Sequence, residues 1–534
     1  MTNTENARAC LSRLTLVAGL TIGAGAAGAA GVETAEACSL FQLTLESPNG
    51  WQVAHDVLER ADGRIVTIGL SDGGVQGSTD VHVVEFAPDG TVLASWAYGS
   101  PDFDAGYSAV ETADGGLAIA AITQAGPFTQ RIAIIRTDAS GAIVWARLFT
   151  GSGPGSPNFP ETIDLGPIIK QAPNKDLVVI GDSLGNPVLI RVREDGTPVY
   201  VAEFNALVLP EHQLNRVTFT DLEIAENGDA VITGTGRFIG LGGLPDRRTV
   251  LLRVEEGTPF GIVYAWAALA TADGIGVYPQ GGYGLDIHRE TREIYVASEA
   301  FDIERQSRGL QLMRVDAGGS VMNATLLLPQ DFGQMANPGF ASVDVEEAAG
   351  SRSARVAVGG HAVGGLDILP ALFAFTEDAK FERAQTYVGP GRFHGVEIQS
   401  AGPGIALAGA AGTGNLDLLL VHASDLGDAG DCEKPYDPRV LEAAVEPQAL
   451  LVDITEGEST PWQIAELPRE ERTAFLCRAP CGCPADWEGD GDVDVNDLLA
   501  FLGAFRAGAA DMDGDGDTDV NDLLAFLGAF RQGC

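Results

Sequence analysis

Ala113-Asp114-Gly115-Gly116 leads into Leu117-Ala118-Ile119-Ala120-Ala121 and, upstream, closes the alternating segment Tyr107–Ala113. An Asp-Gly pair between two such segments supplies the positive-φ residue of a tight hairpin turn, so both flanks read as antiparallel strands. The second flank is apolar at every position and ends in small residues, as a strand buried on both faces does. Downstream come a third strand, Arg131–Thr137, a turn at Asp138-Ala139-Ser140-Gly141, and a fourth, Ile143–Phe149.

The same four-strand order recurs between residues 39 and 430 at roughly 50–65-residue spacing. First strands are expected at Gln52–Glu59, Tyr107–Ala113, Thr162–Lys170, Phe219–Ala225, Gly282–Arg289, Phe340–Glu347 and Phe393–Gln399. Turns such as Ala61-Asp62-Gly63 and Glu226-Asn227-Gly228-Asp229 follow, then second strands starting at Ile65, Leu117, Leu177, Ala230, Ile294, Val356 and Ile405. Seven first, second and third strands are found, but only six fourth strands lie downstream of them. Phe41-Gln42-Leu43-Thr44-Leu45-Glu46 is the candidate for the seventh. An N-terminal strand that completes the last sheet closes a ring and removes an exposed edge. The expected fold is therefore all-β, a seven-bladed β-propeller over 38–430. A row of β-sandwiches would not explain one strand missing at one end and spare at the other. The units resemble the Asp-Gly-Gly-containing propeller repeats of secreted bacterial proteins, with Ala113 through Trp145 the best match.

Residues 1–37 read as a signal peptide: Arg8 and Arg13, a small-residue apolar stretch from Leu14 to Val32, and an A-x-A site at Ala35-Glu36-Ala37. Export is the expected localisation, and no later run reaches the ~18–20 apolar residues of a spanning helix. Six cysteines remain after the leader: Cys38, Cys432, Cys477, Cys481, Cys483 and Cys534. In an oxidising compartment they read as three disulfides, with Cys38–Cys432 or Cys432–Cys477 in competition and Cys483–Cys534 as a clip. The formal net charge of −41 opposes nucleic acid and anionic lipid as partners. Residues 431–484, with Lys434-Pro435, Asp437-Pro438 and several Glu, read as a stiff Cys-containing spacer holding a strand pair near Ala449–Ile454 and Trp462–Ile464.

The tail, 485–534, carries the most specific pattern. Asp486-Trp487-Glu488-Gly489-Asp490-Gly491-Asp492-Val493-Asp494-Val495-Asn496-Asp497 is repeated as Asp511-Met512-Asp513-Gly514-Asp515-Gly516-Asp517-Thr518-Asp519-Val520-Asn521-Asp522. Side-chain oxygens at loop positions 1, 3, 5, 9 and 12, with Gly at 6, match a loop that wraps one Ca²⁺. The expected ligands are Asp486, Glu488, Asp490, Asp494 and Asp497 in the first copy, and Asp511, Asp513, Asp515, Asp519 and Asp522 in the second. Asp492 and Asp517 hold position 7, where the backbone carbonyl coordinates. Two Ca²⁺ ions are thus expected. Val495–Arg506 and Val520–Arg531 are identical, and Leu498, Phe501, Leu502 and Phe505 lie on one helical face.

A duplicated loop–helix pair with Asp at position 12 and no entering helix resembles the dockerin domain, type I in its GC-ended variant, here ending Gly533-Cys534. The resemblance implies a small α-helical Ca²⁺-binding domain that plugs into a cohesin-like receptor. Val495-Asn496 and Val520-Asn521 stand where cellulosomal dockerins often carry Ser/Thr, which leaves the receptor's identity open.

Enzyme-like strings do not survive their context. Gly69-Leu70-Ser71-Asp72-Gly73 and Gly181-Asp182-Ser183-Leu184 occupy the same repeat position, and neither has the strand–turn–helix setting of a nucleophile elbow. The seven histidines never stand at metal-ligand spacing, and Trp96 and Trp145 read as blade packing. The functional expectation is a secreted or cell-surface, non-catalytic protein that binds glycan or protein, anchored by its tail. The alternative is a carbohydrate-active hydrolase of a polysaccharide-degrading complex, with an acid/base pair on the propeller.

Overall fold

A computed structural model describes most of residues 40–478 and, beyond them, 495–506 with six further tail positions; the longest stretches left out inside the first range are 151–165, 330–341 and 347–354. Seven antiparallel sheets form a β-propeller. Blade 1 comprises Gln52–Glu59, Ile65–Ser71, Asp80–Phe86 and Val92–Gly99; blade 2 follows with Asp104–Glu111, Leu117–Gln124, Gln130–Thr137 and Ile143–Thr150. Blades 3 to 6 begin at Ile168–Gln171, Leu214–Ile224, Val277–Ile287 and Ser342–Glu346. Blade 7 is Gly391–Ile398, Gly404–Ala411 and Asp417–Ser424, completed by Phe41–Leu45. Phe41 pairs with His422 and Leu45 with Leu418, so the N-terminal strand closes the ring as the repeat arithmetic requires.

The hairpin glycines and the fourth-strand aromatics serve one junction. Gly141 turns at φ +85°, and a Cβ there would stand 2.4 Å from Trp96 of the preceding blade. Tyr98 of the same strand donates its hydroxyl to the Gly141 carbonyl at 2.8 Å. One blade on, the Trp145 indole donates to Glu194 O at 3.1 Å, and Trp266 repeats the contact with Gly319 O at 3.0 Å. The turn must be glycine both for its left-handed φ and for the flat ring laid over it. Trp96 and Trp145 are thus packing residues.

The chief departure from expectation is the segment read as a spacer. Each sheet has five strands, and the fifth always comes from residues 433–478. Glu433–Tyr436 adds to blade 6, Arg439–Glu442 to blade 5, Ala444–Ala449 to blade 4 and Leu451–Glu456 to blade 3. Glu458–Pro461 then adds to blade 2, Ala465–Pro468 to blade 1, and Thr473–Arg478 to the Phe41–Leu45 strand. The chain thus returns once round the ring, against the order in which the blades were laid, as an outer belt. Leu451–Glu456 pairs with Ala202–Val208 and not with Trp462–Ile464, which lies between belt strands.

Pro435, Pro447, Pro461 and Pro468 all sit inside belt strands. Proline lacks an N–H and is tolerated in a sheet only where one side of the strand is unpaired. Those prolines make the segment look like a linker in sequence, and in the sheet they discourage a sixth strand.

Between blades 1 and 7 the belt is plugged by Glu471, whose side chain is only 2% exposed. It accepts from His82 Nε2 at 2.9 Å, Ser95 Oγ at 2.9 Å and Gln52 Nε2 at 3.2 Å. Burial opposes its charge, but the His82 and Ser95 donors and Arg469 outweigh that and hold its pKa at about 2. Burial likewise keeps His82 below its ordinary value.

Two outcomes are expected. Deleting residues 431–534 bares the outer edges and should lower solubility and the melting temperature sharply, whereas deleting 485–534 should leave the ring's melting unchanged, as read by calorimetry. Glu471→Ala should cost about 3 kcal/mol, because it strands buried donors. With the native pKa depressed, the Glu471 contribution is complete above about pH 4.5 and disappears as pH falls towards 2. Denaturant unfolding from pH 7 to pH 3 should therefore show Glu471→Gln converging on wild type at the acid end.

Candidate functional site in the central channel

The innermost strands of neighbouring blades do not pair with one another, so their inward N–H groups need other acceptors. Acidic side chains supply them. Asp56 of blade 1 accepts from Val57 N at 2.9 Å and from Ala109 N of blade 2 at 3.2 Å. Asp221 of blade 4 accepts from Leu222 N at 2.8 Å and Leu285 N of blade 5 at 2.7 Å. Asp286 of blade 5 accepts from Ile287 N at 2.7 Å and Val345 N of blade 6 at 2.6 Å, and Asp344 accepts from Ile398 N of blade 7. Between blades 3 and 4 an ion pair, Lys170–Glu223, takes that place.

A second set of ties lies at the bulges of the same strands. His55 donates Nδ1–H to Gly106 O at 2.7 Å, and Thr220 donates its hydroxyl to Gly282 O at 2.8 Å. Both belong to an extra residue that breaks the ladder, His55 between Ala54 and Asp56, Thr220 between Phe219 and Asp221. His55 also stacks on Tyr107 with centroids 4.4 Å apart and meets His394 edge-on at 5.7 Å.

These residues line a cavity of about 780 Å³ whose wall includes Asp56, Lys170, Asp221, Glu223, Asp286, Asp344 and Glu397. Its electrostatics follow from burial of many carboxyls around one amine. Burial pushes Asp221 up to about 7 against the pull of Lys170 and the Leu285 N–H. Burial also raises Asp56 and Asp344. Asp286 is raised well above the carboxylate range by burial and by the neighbouring charges of Glu223 and Asp344, against the pull of Lys170. Burial works against the Lys170 charge, yet Glu223, Asp221 and Asp286 hold it well above its ordinary value. Perturbed acids in a cavity mark functional sites often enough to be weighed as such. Here each shifted aspartate also holds a neighbouring blade.

None of these residues was singled out from sequence, though a signal existed. Lys170, Glu223, Asp286, Asp344 and Glu397 pair with Val178, Val231, Tyr295, Ala357 and Ala406, the second residue of each expected second strand. Aligning first strands on that position reveals a polar ring. The serines of the enzyme-like strings lie in regular strands, Ser71 opposite Gln52 and Ser183 opposite Asn186. Among the described residues no cluster of His, Cys, Asp or Glu is arranged to hold a metal, and no helix is long and apolar enough to cross a membrane.

In the tail, helix α1 spans Val495–Arg506 and places Asp497 in its first turn. The other expected Ca²⁺ ligands, Asp486, Glu488, Asp490, Asp492, Asp494, Asp511, Asp513, Asp515, Asp517, Asp519 and Asp522, lie outside the described residues, as do Cys38, Cys432, Cys481, Cys483 and Cys534. Phe501 and Phe526, equivalent positions of the two copies, are fully buried and stack at 4.0 Å with planes 7° apart. Leu498, Phe505 and Leu523 pack around them, while Leu502 of the expected apolar face is 39% exposed.

Replacing Lys170 with Met tests the channel electrostatics. The aspartates lose the cation that favours their charged form, so the penalty should grow as they ionise: a melting-temperature loss of several degrees at pH 8 that narrows at pH 5.

No protein-family model and no curated protein matches the sequence. Among solved structures, the polysaccharide lyase Uly1 is similar over 70% of this chain and 90% of its own, with 11% identity and a TM-score of 0.41. Drosophila Semaphorin 1b, extracellular domains 1–2, is similar over 72% and 86%, with 8% identity and a TM-score of 0.42. The phage phi92 endosialidase is similar over 72% and 69%, with 10% identity and a TM-score of 0.35. At these scores the likenesses carry no argument about activity.

Proposed function

We propose that this chain is an exported, non-catalytic binding protein: a propeller that presents one face to a glycan or protein and is displayed through a Ca²⁺-ordered, dockerin-like tail on a cohesin-like receptor. The observation that supports a gripping ring over a hydrolytic one is the use of the channel acids. Glycoside hydrolysis needs two carboxyls free to exchange protons or bonds with substrate. Asp56, Asp221 and Asp286 each spend both oxygens on backbone N–H groups, one of them in the next blade.

For the tail, the donor set fits a hard cation, since every expected side-chain ligand is a carboxylate oxygen. Asp486, Glu488, Asp490, Asp494 and Asp497 would hold one Ca²⁺, and Asp511, Asp513, Asp515, Asp519 and Asp522 the other. Bound Ca²⁺ supplies the positive charge that lets these carboxylates gather, so binding energy becomes folding energy. The Phe501–Phe526 stack then ties the two copies together.

Titration of the chain from residue 38 onward should take up two Ca²⁺ per molecule and gain helical circular dichroism; Asp490→Ala with Asp515→Ala should abolish both and leave the ring's melting intact. Equal helical order in chelator would overturn the tail reading, and product release from a polysaccharide panel would overturn the non-catalytic one.

A further inference from the structure

The belt gives every blade a new outer edge, and its prolines close most of those edges to further pairing. The inward backbone donors show how. Leu450 N donates to Ala265 O of blade 4, Gly457 N to Val201 O of blade 3, Trp462 N to Ala146 O of blade 2 and Arg469 N to Ser95 O of blade 1, each at 2.9 Å. Bonding alternates from side to side along an antiparallel strand, so residues one and three places before each donor point their N–H and C=O outward. Pro461 stands one place before Trp462, Pro468 one place before Arg469, and Pro447 three places before Leu450. Each deletes an outward donor without costing the sheet a bond.

Blade 3 lacks this protection. In its belt strand, Leu451–Glu456, the same two places are held by Ile454 and Glu456, and Val452 continues the outward set. Among the described residues no strand pairs with it on that side, since it ends its sheet. Two other belt strands have no internal proline, but Arg439–Glu442 has four residues and follows Pro438, and Thr473–Arg478 runs into Ala479-Pro480. The fourth strand of blade 3, Pro198–Val208, backs the open edge over its whole length.

The edge has two unlike sides. Val452 and Ile454 lie half-buried on the core shared by blades 3 and 4. Leu451, Asp453 and Thr455 alternate with them on the other side and are exposed. Asp453 and Glu456 are the only charged residues of the strand, and the chain as a whole carries −41. A second copy would bring the same acids and the same net charge, so self-pairing is opposed while a basic strand is attracted.

We propose that the outer edge of blade 3, Leu451–Glu456, docks an extended basic segment of a partner protein, which adds antiparallel as a sixth strand. Main-chain bonds to Val452, Ile454 and Glu456 supply the affinity, and alternate side chains supply the selectivity. Partner residues opposite Val452 and Ile454 share their side of the sheet and are apolar; those opposite Asp453 and Thr455 lie beside a carboxylate and are Lys or Arg. The site lies on the flank of the ring and goes beyond the face-binding reading, on which it does not depend.

The test is binding of the capped peptide Lys-Val-Lys-Val-Lys-Val-Lys to the chain from residue 38 onward, by calorimetry in 50 mM salt. The peptide should bind, and Glu-Val-Glu-Val-Glu-Val-Glu should not. N-methylation of the three valines blocks the amides that face the belt and should weaken binding at least tenfold. N-methylation of the lysines, whose amides face away, should leave it within about threefold. I454P copies the proline of blade 4, E456P copies those of blades 1 and 2, and both should bind at least tenfold more weakly with the ring's melting retained. D453K, at an exposed position, should weaken binding severalfold and keeps the test decisive should either proline variant unfold. The proposal fails if the parent peptide does not bind, if the N-methylvaline form binds as the parent does, or if the folded variants bind as wild type does. It fails equally if sedimentation shows a dimer that I454P dissolves, since the edge would then serve a second copy.

Discussion

A β-sheet that ends in solvent presents a row of unpaired N–H and C=O groups, and this molecule is organised around satisfying them. Its seven sheets have edges both inside and outside the ring. Inside, side chains do the work: aspartates accept the N–H groups of the next blade, and bulged residues such as His55 and Thr220 donate to its carbonyls. Outside, the chain itself does it, by returning as a fifth strand on every sheet. The closing strand Phe41–Leu45 is an interior strand, flanked by Asp417–Ser424 and Thr473–Arg478.

The electrostatics follow from the same requirement. Carboxyls are drawn into the channel because backbone donors need acceptors there, and their crowding then raises Asp221 and Asp286 and holds Lys170 charged. Perturbed pKa values in this cavity are therefore a consequence of how the blades are joined.

Much of the fold was legible in the sequence. Turn signals, apolar second strands and the spare strand at Phe41 were enough for the ring and its closure, because the first two recur round the ring as local signals and the third completes the strand count. The belt was not legible: its prolines and exposed alternation are the marks of a linker, and only the presence of an existing edge makes them a strand. The channel acids were hidden differently. Asp56, Asp221, Asp286 and Asp344 are unremarkable singly and acquire a role only when neighbouring blades are set side by side. The tail was the reverse case: spacing alone carries the proposed loop chemistry, and the packing of Phe501 on Phe526 adds the contact between its copies.

The return lap also sets an order of assembly. Every belt strand is encoded after the blade it covers, and it has no template until that blade exists. The nascent chain must therefore first build a toroid with bare outer edges and hold it while the last segment emerges from the ribosome. During that interval neighbouring molecules present matching strands to one another, so the yield of native protein depends on a race between an intramolecular lap and intermolecular pairing.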